Sequence, residues 1–192
     1  MKHRRRIFGI IVALAALALL PACRDSPVAP HVAASGAGGA LTRETAPLFQ
    51  TDSLTYKLVA GSHGYEAEIE ARFTNRTAGR VYFVNCNDAT GLSLEKLING
   101  AWVGVWSPAL PMCLSQPITV PAGGTYDSRI SVFGGYPGSN AWPQFSVTDL
   151  AGTYRLVWHH ALRSYQDRLP FGVPLPLEQR ASNRFTLQVQ PR

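Results

Sequence analysis

The chain has 192 residues, with 18 Lys and Arg against 12 Asp and Glu for a formal charge of +6. Four of the basic residues, Lys2, Arg4, Arg5 and Arg6, sit at the extreme N-terminus; beyond residue 22 fourteen basic side chains face twelve acidic ones, a formal +2. No Lys/Arg cluster of the kind that neutralises phosphates follows, which argues against nucleic-acid binding.

In chain order, the basic MKHRRR stretch precedes fourteen uncharged apolar residues, Ile7 to Leu20, and then Pro21, Ala22 and Cys23. A charged region, an apolar region and a small-residue cut site make a secretory signal. The apolar run is short of the roughly 20 residues that a membrane-spanning helix needs. Leu20-Pro21-Ala22-Cys23 resembles the lipobox of bacterial lipoproteins, with Pro21 departing from the usual Ala, Ser or Thr. The resemblance implies that residues 1–22 are removed and that Cys23 becomes an acylated N-terminus carrying diacylglycerol and a further chain such as palmitate. Several chains hold durably, each buried CH₂ contributing about 0.8 kcal/mol. It implies a location in the cell envelope, anchored to the cell membrane or outer membrane with the domain in the periplasm or at the surface; no cofactor is expected. With Cys23 lipidated, Cys86 and Cys113 remain as an even pair in an oxidising compartment. A disulfide between them would contribute about 3 to 4 kcal/mol; two separate buried thiols are the alternative.

Residues 23–47 are rich in Ala, Gly, Pro and Ser and lack aromatics, so they read as a flexible tether. Residues 48–192 form the globular domain, long enough for a sizeable core. Its clearest signal is Tyr65 to Phe73, where Tyr65, Ala67, Ile69, Ala71 and Phe73 alternate with Glu66, Glu68, Glu70 and Arg72. Period two predicts a strand with one buried and one wet face. Further strands are predicted at 54–59, 80–85, 92–97, 101–106, 118–120, 126–133, 153–159 and 185–190. Asn99-Gly100 predicts a tight hairpin turn, Pro121-Ala122-Gly123-Gly124 a second turn, and Asn75-Arg76-Thr77 a turn that is only formally a glycosylation sequon. The sum is an all-β sandwich.

Asp149-Leu150-Ala151-Gly152-Thr153-Tyr154-Arg155-Leu156 resembles the penultimate strand of immunoglobulin-like domains, where a corner tyrosine bonds back to nearby backbone. That implies an immunoglobulin-like antiparallel β-sandwich with Tyr154 at the corner. Leu156 stands where antibody domains carry a cysteine, so Cys86 and Cys113 would form a different staple. Phe73-Thr74-Asn75, Gly100-Ala101-Trp102, Pro121 to Gly124 and Gly152 to Arg155 are also similar to the bacterial intracellular proteinase inhibitor group. That resemblance implies the fold, and proteinase inhibition as an alternative function; no inhibitory loop is carried over.

Catalytic signals are thin. Neighbouring His159 and His160 would point to opposite faces of a strand, which disfavours a shared metal. Glu66, Glu68 and Glu70 are spaced about 6.5 to 7 Å apart on one face, as hydrolytic carboxylates can be, but a solvated face paired with cross-strand Arg or Lys explains them better. There is no G-x-S-x-G elbow. The expectation is therefore a non-enzyme, with a cell-envelope hydrolase or metal carrier as a further alternative. Two loops carry aromatic and Arg residues suited to binding an envelope protein or a glycan. They are 133–145 with Tyr136, Trp142 and Phe145, and 163–180 with Tyr165, Arg168 and Phe171.

Overall fold

The computed structural model describes residues 48–110 and 115–191, all within the unit Arg43–Arg192. The lipobox, the tether and Cys113 lie outside the described residues.

Strand β1 (Phe49–Thr51), β2 (Thr55–Ala60) and β3 (Gly64–Thr74) come first. Along β3 the odd-numbered residues from Ala67 to Phe73 are buried and Glu66, Glu68, Glu70 and Arg72 are exposed, as the alternation predicts. One edge of β3 pairs over its whole length with β10 (Thr125–Gly135). The other edge is shared: β1 takes its C-terminal end and β2 its N-terminal end. From there β2 runs beside β13 (Phe185–Gln190), which continues through β11 (Gly152–Trp158) and β7 (Leu92–Ile98) to β8 (Ala101–Trp106). The first strand is thus split between two layers. Pairing is antiparallel as expected, except that β2 and β13 run parallel.

The layers face each other across one core. Trp158 of β11 is 1 % exposed and stacks on Phe49 at 4.0 Å between ring centroids. It also meets Phe83 at 4.6 Å, Tyr126 at 6.0 Å and Phe73 at 6.2 Å. Leu58, Ile69, Leu94, Leu156 and Leu187 fill the rest and are fully buried. At the corner the Tyr154 hydroxyl donates to the Leu150 carbonyl at 2.7 Å, the contact that the 149–156 motif implies. Burial, followed by the Asp149 charge, pushes this phenol well above its usual range.

Short elements divide some of the predicted strands. The predicted strand 80–85 divides into β4 (Val81–Phe83) and β5 (Asn85–Cys86), because β5 turns back on β6 (Ala89–Thr90) through Asn87 and Asp88, both at positive φ. β4 pairs with β9 (Ile118–Val120) and β12 (Ala161–Leu162). A single helical turn, α1 (Leu177–Arg180), precedes β13. The Asn99-Gly100 turn has φ of 50° and 83°, the two positive angles of a tight hairpin. Asn75 is fully buried, and its amide donates to the carbonyls of Gly79 and Val120 at 2.8 and 2.9 Å. The 75–77 sequence therefore knots a turn.

Candidate functional site

The loop after β10 is pinned at both ends. Gly135 N donates to Pro143 O at 2.8 Å, and Ser146 N donates to Val105 O at 3.0 Å. Beneath it, Trp106 Nε1 donates to Phe133 O at 2.8 Å. Phe145 packs under the loop edge-on to Tyr65, 6.3 Å away, and is 1 % exposed. Burial removes Phe145 from the set of residues that can meet a partner; its ring seals the end of the sandwich. Tyr136 is half-buried, donating its hydroxyl to Gly61 O at 2.5 Å and meeting Tyr65 edge-on at 5.0 Å. Trp142 alone among the three predicted aromatics is turned outward, at 70 % exposure.

The second predicted loop is a closed irregular hairpin. Arg163 N bonds to Val173 O at 2.8 Å and Gln166 N to Phe171 O at 2.7 Å. Gly172, at φ 149°, leaves room that a Cβ would lose to the Ser164 carbonyl. Tyr165 stacks on Tyr82 at 6.1 Å and Phe171 meets His160 edge-on at 5.9 Å, so both rings are half-buried. Arg168 is exposed, and Leu169 at the tip is 76 % exposed. The structure does not bring the six predicted residues into one site.

It instead places Trp142 at the lip of an open groove of about 540 Å³ on the outer face of β7, β8 and β11. Leu92 and Leu94 point inward on β7, so Ser93 and Glu95 point outward. Across β11 the cross-strand partner of Glu95 is Arg155, which contacts its carboxylate through Nε at 2.7 Å and Nη2 at 2.6 Å. The pair is mostly buried, at 17 % and 19 % side-chain exposure. The Trp102 ring covers it, 4.5 Å from the Arg155 guanidinium carbon, a cation–π contact that shields the pair from water. On β8 the residue opposite Glu95 is Gly104. A Cβ built there would meet nothing within 4 Å, so the absent side chain leaves open space in the groove floor.

His159 follows β11 and approaches Ser93 Oγ through Nε2 at 2.8 Å. Burial, then the positive charges of Arg180 and His160, push the imidazole below its usual value of 6.5. It is therefore neutral at pH 7 and able to share a proton with the Ser93 hydroxyl in either direction. Glu95 is held by Arg155, so the two-residue contact has no carboxylate bonded behind it among the described hydrogen bonds. Gln144 and Ser146 complete the wall with long contacts. The Gln144 amide has bonds of 3.3 and 3.4 Å, and the Ser146 hydroxyl bonds of 3.5 and 3.4 Å. Bonds of that length are easily exchanged for better ones.

Of these residues the loop composition identifies only Trp142. Ser93, Glu95, Gly104 and Arg155 come from three strands and His159 from the turn after the third, and only cross-strand register brings them together. No family model matches the chain, and no curated protein matches it.

Elsewhere, Cys86 is buried in β5. Both of its neighbours bond to Ser115, two residues past Cys113: Ser115 N donates to Asn85 O and Asn87 N donates to Ser115 Oγ, each at 3.0 Å.

Proposed function

We propose that this protein is a lipid-anchored binding module of the bacterial cell envelope that acts without catalysis, with the Trp142 groove as its contact site. The observation that carries the reading is a large apolar ring held 70 % exposed, on a loop tied at both ends, above a concave surface with convergent polar groups. Exposing such a ring forgoes about 2 to 3 kcal/mol of burial, and aromatic anchors of this kind dominate binding surfaces. The lipobox resemblance supports the anchoring: Cys23 holds the membrane and residues 24–47 give the domain reach. Substituting Cys23→Ala abolishes incorporation of labelled palmitate and releases the protein from the membrane fraction. The hydrogen bonds from Ser115 to both neighbours of Cys86 support a Cys86–Cys113 disulfide.

The groove is tested by capture. Immobilised full chain is exposed to solubilised envelope material, and Trp142→Ala is expected to cut partner recovery at least tenfold. Undiminished recovery with Trp142→Ala sinks the groove assignment. A second reading, proteinase inhibition, rests on Leu169, an apolar side chain presented at the tip of a backbone-bonded hairpin. Inhibition of a panel of envelope and secreted proteases that vanishes with Leu169→Asp supports it; no inhibition by the intact chain removes it.

A further inference from the structure

We propose that the ligand of the Trp142 groove is an uncharged glycan chain, lying with the face of one sugar on the Trp142 ring and with its chain accommodated by the space that Gly104 leaves open. The assignment rests on the binding-module reading and names the ligand class for the same groove.

Charge is the first constraint. Among the described residues Glu95 is the only formally charged one lining the groove, and Arg155 neutralises it at 2.6 Å. His159 carries no proton charge at neutral pH. The groove lining thus carries no net charge, and it complements a neutral ligand. Polar chemistry is the second constraint. A sugar hydroxyl both donates and accepts, and so do the Gln144 amide and the Ser146 and Ser107 hydroxyls along the wall. The contacts that Gln144 and Ser146 now make are 3.3 to 3.5 Å long, so a ligand hydroxyl at normal distance replaces them with gain. The third constraint is shape. A pyranose has an apolar face of C–H groups and a polar rim, which matches a flat exposed indole beside hydroxyl and amide groups.

An extended peptide fits less well. It would add to the free edge of β8, but beside the groove that edge is already occupied, because Val105 O accepts from Ser146 N at 3.0 Å.

Gly104 supplies a clean test. It lies in a strand without a positive φ, and a Cβ there meets no atom within 4 Å beyond its own chain neighbours. Gly104→Leu therefore starts from a Cβ that fits, extends its side chain into the groove and places a better strand former than glycine in β8. The full chain, purified in mild detergent, is run on native gels containing hydroxyethyl cellulose, glycol chitin, dextran, xylan or alginate. Retardation in at least one neutral polysaccharide is expected, with an apparent affinity that falls at least tenfold in both Trp142→Ala and Gly104→Leu. Arg129→Ala, on the opposite face, leaves it unchanged, and unaltered thermal midpoints show that the variants are folded. Retardation in none of the five, retardation only in alginate, or retardation insensitive to both groove variants overturns the assignment. If envelope capture still depends on Trp142 in those cases and recovers a protein, the glycan class falls while the binding-module reading stands. If capture is also insensitive to Trp142, both fall.

Discussion

The two outer faces of the sandwich obey the same alternation yet differ in kind. On β3 and β10 the outward residues form a charge ladder: Arg72 pairs with Asp127 at 2.6 Å and Arg129 with Glu70 at 2.7 Å, with all four side chains more than half exposed. Ser131 adds a hydroxyl bond to Glu68 at 2.6 Å. The strands there are long, regular and unbroken, and the surface is a solvated sheet. On β7, β8 and β11 the single outward ion pair lies under an indole, β8 is interrupted by a register shift beside Leu94 and Glu95, and a returning loop builds a wall. What makes a sheet face concave is therefore the loop, the bulge and the missing side chain at Gly104. Polar outward residues by themselves produce only solubility.

Both faces stand on the same core. Trp158→Ala removes a ring that touches β1, β3, β4 and β10, and is expected to cost about 3 to 5 kcal/mol in urea unfolding. A loss below about 1 kcal/mol would mean that the two layers are not joined through Trp158. The next effect is smaller and confined to one face. Arg155→Met keeps the packed stem but leaves Glu95 largely buried without its partner, with an expected loss of about 1 to 2 kcal/mol after allowance for its partial exposure.

A third measurement separates the faces by pH. His159 has a folded-state pKa depressed below 6.5, so the unfolded chain binds the proton more readily. Its contribution is fully present above pH 6.5 and is lost as pH falls from there through the folded value. The thermal midpoint of the wild type should thus drop between about pH 7 and 5 more steeply than that of His159→Gln; identical slopes would remove His159 as the cause. The smallest effect belongs to the ladder: Arg72→Ala breaks an exposed, salt-screened pair and should leave the midpoint unchanged within error.

Much of the scaffold is legible in the sequence because strands advertise themselves by period two. The predicted strands at 101–106, 118–120 and 185–190 coincide with β8, β9 and β13, and the corner at Tyr154 forms the bond its motif implies. β1 and β12 escape because two or three residues carry no period, and their pairing depends on distant partners. The site is less legible. Aromatic residues in a glycine- and proline-rich loop show the same composition whether they cap the core, as Phe145 does, or face solvent, as Trp142 does. His159 and His160 do separate to different surroundings, one on Ser93 and the other against Phe171. That His159 meets Ser93, 66 residues away, follows from the register of β7 against β11, which no local pattern encodes.

The parallel pairing of β2 with β13 joins residues near both ends of the domain, Thr55 to Thr186 through Val59 to Gln190. In a chain that emerges N-terminus first, β2 can meet β3 at once, but its pairing with β13 waits for more than a hundred intervening residues. Contacts that span so much sequence close slowly, on the millisecond-to-second scale typical of sandwiches. Because β13 pairs with β11 on its other side, this six-residue strand is the seam through which the opening strands of the domain join the later ones.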